Sequence, residues 1–233
     1  MGGFSLRYKR MINFHILTIF PELFKPYLNE SILGKAIYKE LLSVDLYDIR
    51  KYTTDKHNNV DDKPYGGGPG MVMAPQPIVS ALEDALKRKS KEKTLVIFLS
   101  PGGKDFNDKR AIELSKKYKD IVILAGRYEG IDERVKKVVK DRGFRLIELS
   151  TGPYILSGGE LPSLTIIDAI SRKIEGVLGK TESLEENRYG PGLPSYTRPE
   201  NFKHKGREYK VPKVLISGNH KKIDEWRRDH TKK

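Results

Sequence analysis

Five short apolar runs punctuate the chain: INFHILTIF (12–20), VDLYDIR (44–50), TLVIFL (94–99), IVILA (121–125) and RLIEL (145–149). Each has the β-branched and aliphatic composition of a strand. TLVIFL and IVILA are almost wholly apolar, the pattern of central parallel strands buried on both faces beneath helices. The stretches between them carry a helical period. Ile78, Ala81, Leu82, Ala85 and Leu86 fall on one face of a helix over 77–88. Asn107 is placed to cap a helix over 108–118, and Pro162 suits the first turn of a helix reaching Ile174. The pattern therefore predicts an α/β domain built on a parallel sheet. From Gly176 to Pro199 it breaks down into GVLGKTESLEENRYGPGLPSYTRP, dense in Gly, Pro and charge, which reads as a linker. Beyond it, 211–218 offers one short apolar stretch and 222–228 one charged helix with the only tryptophan, Trp226. That is too little apolar area for a core of its own, so this tail is expected to dock on another surface.

Composition narrows the function classes. The chain has 233 residues, 44 Lys and Arg against 31 Asp and Glu, for a formal net charge of +13. Residues 1–10 carry Arg7, Lys9 and Arg10 with no acid, and 203–233 carry eleven basic residues against four acidic ones. A nearly balanced body with basic ends points to a polyanionic partner. There is no cysteine, which removes disulfide frameworks, cysteine–zinc sites and thiol catalysis and fits a reducing cytoplasm. No apolar run approaches the ~20 residues of a membrane-spanning helix, and Met1 to Arg10 lacks the apolar stretch of a secretion signal. A cytoplasmic protein with no membrane partner is expected.

Three groups of residues resist a purely structural reading. PYGGGPGM (64–71) packs four glycines and two prolines into eight residues, which suggests a surface approached closely by another backbone or a ligand. It is no phosphate loop: the only Gly-Lys-Thr, at 179–181, has Ile174 where the first glycine of that motif belongs. The second group is a set of strand ends. TLVIFL runs into Ser100-Pro101-Gly102-Gly103, IVILA into Gly126-Arg127-Tyr128-Glu129-Gly130, and RLIEL into the loop from Ser150 to Glu160 with Gly152, Gly158 and Gly159. Ligands of open α/β sheets bind outside the carboxyl ends of strands, so three glycine-bearing loops converging there would form a pocket made of backbone, suited to adenine or another small heterocycle. The third group is Tyr196-Thr197-Arg198-Pro199 with Ser217-Gly218-Asn219-His220, side chains that stack on bases or bind phosphate and base edges. The five histidines show no ligand spacing, so no metal is expected, and no G-x-S-x-G elbow supports a serine nucleophile.

Taken in order, TIFPELF (18–24), VDDKPYGGGPGMVM (60–73), LSPGG (99–103), GRYEGIDER (126–134), YILSGGELP (154–162), IDAISR (167–172), YTRPE (196–200) and SGNHKKIDEWR (217–227) make the chain resemble the bacterial tRNA (guanine-N1)-methyltransferases over most of 11–228. The resemblance implies a trefoil-knotted α/β methyltransferase domain with a small, mainly helical C-terminal domain, and an obligate homodimer. It further implies S-adenosylmethionine as methyl donor and N1 of guanosine 37 of tRNA, next to the anticodon, as acceptor. The expected organisation is a disordered basic leader at 1–10, the knotted domain at 11–178, a flexible linker at 179–195 and a basic tRNA-binding domain at 196–233. By the same resemblance the donor lies against Leu99, Ser100 and Pro101, against Gly126, Tyr128, Glu129 and Gly130, and against Ser150, Thr151, Gly152, Pro153, Tyr154, Ile155 and Leu156 with Gly158 and Gly159. Arg172 matches the family arginine near the guanine oxygen.

The linker departs from the family pattern. An aspartate serves there as presumed general base, whereas this chain reads Glu185-Glu186-Asn187-Arg188, with Asn187 at the base position. A neutral amide has no comparable basicity, so Glu186 becomes the expected base, Glu185 a weaker candidate and Asp168 another. Asn187 also leaves open a catalytically impaired RNA-binding relative, and a knotted methyltransferase acting on another RNA position is the third reading. Thr151 and Pro153 stand where relatives commonly have Ile and Asp.

Overall fold

The computed structural model describes residues 11–179, 189–190 and 192–231. The expected leader at 1–10 and the base candidates Glu185, Glu186 and Asn187 lie outside the described residues. Contacts divide the chain into two compact units, 1–178 and 179–233.

The first unit is a mixed α/β structure on a five-stranded sheet. Its strands are β1 (Ile12–Thr18), β2 (Leu42–Asp48), β5 (Thr94–Asp105), β6 (Asp120–Leu124) and β7 (Arg145–Ser150). They run in the order β2-β1-β6-β5-β7, every neighbouring pair parallel. A two-residue antiparallel ladder, β3 (Asp61–Asp62) with β4 (Val72–Met73), stands apart from the sheet. The helices are α1 (Lys25–Leu28), α2 (Ser31–Tyr38), α3 (Pro75–Ala85), α4 (Asp108–Lys117), α5 (Arg134–Asp141) and α6 (Glu160–Ser171).

Alternate side chains of the central strands feed two cores, as the two-residue strand period requires. Ile12, Phe14 and Ile16 of β1, Leu95 and Ile97 of β5, and Ile121 and Ile123 of β6 pack on one face with α2, α4 and α6. Leu17, Val96, Phe98, Val122 and Leu124 pack on the other with Ile78, Ala81, Leu82 and Ala85 of α3 and with Val135 and Val139 of α5. Asn107 caps α4, its Oδ1 accepting from Arg110 N at 3.0 Å. Helix α6 begins two residues before the proline expected to start it; Pro162 is its third residue, where a backbone N–H has no helical partner to lose.

The strand expected to end at Leu99 runs on to Asp105. Leu99 and Lys104 both pair with Leu149, so Ser100–Gly103 is looped out of a continuous strand instead of closing a turn. Gly103 permits this: a Cβ there would fall 2.6 Å from the Leu149 backbone. At the opposite edge of the sheet, Asp120 opens β6 as a buried carboxylate. Its Oδ1 accepts from Asn13 Nδ2 at 3.1 Å and lies 3.1 Å from His15 Nε2 and 2.9 Å from Lys89 Nζ. Burial opposes its charge, but these three partners outweigh burial and hold its carboxyl well below the usual carboxylate range.

The described part of the second unit holds an antiparallel hairpin, β8 (Asn201–His204) with β9 (Arg207–Lys210), and helices α7 (Lys213–Ile216) and α8 (His220–His230). Asn219 caps α8, Oδ1 accepting from Lys222 N at 3.2 Å. The hairpin was not legible in the apolar pattern because all eight of its strand residues are exposed. Its turn is Lys205-Gly206, with φ of 47° and 75°, the left-handed pair that a two-residue hairpin turn demands. No described residue of this unit is buried, in keeping with its small apolar content. Among the described residues, no helix is long and apolar enough to cross a membrane.

Candidate active site

Because β6, β5 and β7 are neighbours, their carboxyl ends lie side by side. The chain leaving β6 turns sharply at Tyr128 and Gly130, with φ of 58° and 130°. That turn is pinned to β4: Arg127 N points at Met73 Sδ at 3.2 Å, Glu129 N donates to Met71 O at 2.9 Å, and Met73 N donates to Gly130 O at 2.9 Å. The glycine-rich segment thus closes against GRYEG. A Cβ on Gly70 would meet Glu129 Oε1 at 2.6 Å, so this glycine is needed for close approach. Gly66, Gly67 and Gly68 have positive φ and open space around them within the chain, so their backbone conformation itself calls for glycine.

The loop after β7 is closed by its own polar groups. Ser150 Oγ donates to Gly152 O at 2.9 Å and Tyr154 Oη to Thr151 O at 3.1 Å. Gly159 N then donates to Gly126 O at 2.8 Å and joins the start of α6 to the end of β6. The approach is backbone on backbone, since a Cβ on Gly159 would lie 2.6 Å from Ala125 Cα.

Next to this junction sits Glu160, only 3% exposed. Its Oε1 accepts from Thr18 Oγ1 at 2.9 Å and its Oε2 from Arg127 Nε at 2.9 Å. Arg127 also donates through Nη1 to Ser157 O at 3.3 Å, and its guanidinium lies 4.7 Å from the centre of the Phe20 ring. The carboxylate therefore ties together the ends of β1 and β6 and the loop before α6. Sequence reasoning placed Arg127 and Glu160 in the strand-end loops but gave neither of them, nor Thr18, a role in the site, because their link is purely tertiary.

The three strand-end segments enclose a cleft of about 220 Å³. Leu99, Ser100 and Pro101 form one wall; Gly126, Tyr128, Glu129 and Gly130 a second; Ser150, Thr151, Tyr154, Ile155, Leu156, Gly158 and Gly159 the remainder. Gly152 and Pro153 are not among the lining residues. Arg127, Ile131, Leu149, Ser157 and Pro162 line it too and were not anticipated. Leu99, Pro101, Ile131, Leu149 and Pro162 supply apolar surface between backbone edges, an arrangement that takes a flat heterocycle and leaves its polar rim to peptide groups.

Arg172 caps the far end of α6, half-buried, and its backbone N donates to Asp168 O at 3.0 Å. Thirteen positions separate it from Gly159 at the cleft, roughly 20 Å of helical rise. Asp168 accepts from Tyr27 Oη at 2.6 Å, and this hydrogen bond, with burial adding to it, raises the Tyr27 pKa above its ordinary value. One oxygen of Asp168 is thus already engaged.

Comparison with known proteins adds the whole-chain context. Residues 12–233 match the profile of the family described as tRNA (Guanine-1)-methyltransferase TrmD. A tRNA (guanine-N(1)-)-methyltransferase of Clostridioides difficile is 47% identical over 224 residues, covering 94% of this chain and 92% of the relative. One from Carboxydothermus hydrogenoformans is 49% identical, covering 91% of this chain and 80% of the relative, and one from Pseudoalteromonas atlantica is 44% identical, covering 92% and 78%. With its parallel sheet, its strand-end cleft and a match running through nearly all of its length, the chain belongs to the tRNA (guanine-N1)-methyltransferase family.

Proposed function

We propose that the chain transfers a methyl group from S-adenosylmethionine to N1 of guanosine 37 in tRNA, next to the anticodon. The observation that carries this reading is the cleft at the carboxyl ends of β6, β5 and β7, in a chain whose curated relatives are named tRNA (guanine-N(1)-)-methyltransferase. The residues present fit the donor: Gly126 leaves an open slot that a Cβ, 3.1 Å from Ile131 Cγ1, would narrow, and apolar walls flank it. When bound, the donor supplies an electrophilic methyl group on a sulfonium. Backbone groups of 126–130 and 150–156 hold and orient the adenosyl portion, and Leu99, Ile131 and Leu149 exclude water from it.

On the acceptor side, Glu186 takes the proton from guanine N1 and the Arg172 guanidinium offsets the negative charge that develops on the ring. Asn187 hydrogen-bonds the guanine edge. Holding the two reactants in line supplies much of the rate. The proposal includes a homodimer whose active site spans both subunits, a trefoil-knotted first unit and a cytoplasmic location. Two observations support the dimer. Arg172 stands ten positions, roughly 15 Å, beyond Pro162, where the donor cleft of its own chain reaches furthest along α6, so a guanidinium acting at the donor fits better in a partner's cleft. Large apolar side chains also stand uncovered at the cleft and beside it, Ile155 at 85% exposure and Leu161 at 64%.

Incubation with S-adenosylmethionine and total tRNA, followed by nucleoside analysis, tests the reading. 1-Methylguanosine next to the anticodon is expected, and its loss in Gly126→Leu alongside loss of donor binding in calorimetry. Methylation at another position, or none, would overturn it.

A further inference from the structure

The hairpin of the second unit has no structural employment among the described residues. All eight residues of β8 and β9 are exposed, and a two-stranded hairpin is marginal on its own in water. Its composition is nevertheless specific. Phe202 pairs across the ladder with Tyr209, and His204 with Arg207, so three rings and a guanidinium share one face. The Phe202 and His204 rings lie nearly parallel, 8° apart at 6.2 Å, and Tyr209 lies 6.3 Å from Phe202. Phe202 is 56% exposed and Tyr209 52%. Arg207 shares this aromatic face and Lys205 stands in the turn beside it, whereas Lys203 and Lys210 alternate to the opposite face with the single carboxylate, Glu208, which lies 3.0 Å from Lys210 Nζ.

We propose that this hairpin is a stacking platform for unpaired bases of the RNA substrate, with Lys205 and Arg207 gripping the flanking phosphates. The inference rests on the reading of tRNA as substrate and names a surface for it. Aromatic faces interleaved with cations suit single-stranded nucleic acid, because every base offers a π face and every linkage a negative charge. An acidic protein surface would satisfy the cations but would make no use of exposed rings gathered on one face.

The test separates stacking from charge and from folding, using the full chain. Phe202→Ile with Tyr209→Ile keeps apolar area and strand propensity but removes the π faces. This variant is expected to bind tRNA about tenfold more weakly, in the range of one lost stack. The KM for tRNA rises, while kcat at saturating tRNA, donor affinity and the salt dependence of binding stay at wild-type values. Phe202→Tyr with Tyr209→Phe retains wild-type affinity. Lys205→Gln and Arg207→Gln together flatten the dependence of log affinity on log salt by about one. Wild-type affinity in the isoleucine pair overturns the proposal. So does an altered sedimentation coefficient in that pair, which would assign the aromatic face to protein packing. A wild-type protein that methylates no tRNA defeats the substrate reading instead, and binding of unstructured RNA by the same variants then still judges the hairpin.

Discussion

Gly159 carries a strict requirement at the cleft, because a Cβ there would fall on backbone, 2.6 Å from Ala125 Cα, and its N–H is spent on Gly126 O. Gly159→Ala inserts a methyl group where backbone already stands, and a loss of about 1–3 kcal/mol in urea unfolding is expected, with weakened donor binding in calorimetry. At the acceptor side the decisive side chain is the proposed base. Single-turnover methylation by Glu186→Gln is expected to fall at least about a hundredfold, the usual worth of a positioned base. A wild-type rate in that variant would move the role elsewhere, and a rise of orders of magnitude in Asn187→Asp would mark the natural chain as impaired. Asp120 gives the residue scale its pH dependence. Its folded pKa lies below the unfolded value of about 3.9, so its stabilising contribution is complete above that value and drains away as pH falls through the folded one. Asp120→Asn is therefore expected to lower stability at pH 6 while making it fall less steeply below about pH 4, read from urea midpoints across that window.

Helix α6 is the element on which the site hinges. Its first residue, Glu160, joins β1 through Thr18 and the β6 turn through Arg127, and its backbone start is bonded to Gly126. Glu160→Gln replaces one acceptor by a donor facing either a hydroxyl or a guanidinium. A cost of about 3 kcal/mol is expected, since one partner of a buried pair is left uncompensated. Donor affinity should drop with it because Gly158 and Gly159 lose their anchor; unchanged affinity in calorimetry would show the loop to be held by backbone bonds alone. The looped-out Ser100–Gly103 of β5 works the same way at the element scale, since a strand continuing past the bulge to Asp105 fixes both ends of the loop against β7.

At the scale of the molecule, the proposed assembly meets the requirement set by the distance along α6. Sedimentation is expected to give a dimer at micromolar concentration, and mixing an Arg172→Ala chain with a Gly126→Leu chain should restore activity through hybrid sites, each mutant alone being inactive. Failure to complement would place Arg172 and the donor cleft in one chain.

Much of this was legible in the chain itself. Short apolar runs of strand-like composition determined the five strands, and i, i+3, i+4 spacing determined α3, because both signals are local and survive without tertiary context. Asn107 marked a helix start for the same reason. Glycines after TLVIFL, IVILA and RLIEL announced loops, but that these loops share one cleft followed only from the order β6-β5-β7, which depends on non-local pairing. Tertiary register likewise carried β5 through Ser100–Gly103, because Gly103 fits against Leu149. The Arg127–Glu160–Thr18 link and the seating of Gly70 on Glu129 join residues far apart in sequence, and no spacing along the chain encodes such contacts. The hairpin at Lys205-Gly206 lay hidden for the opposite reason: with every strand residue in water, no core imposed an apolar alternation on it, and only backbone handedness at its turn gave it form.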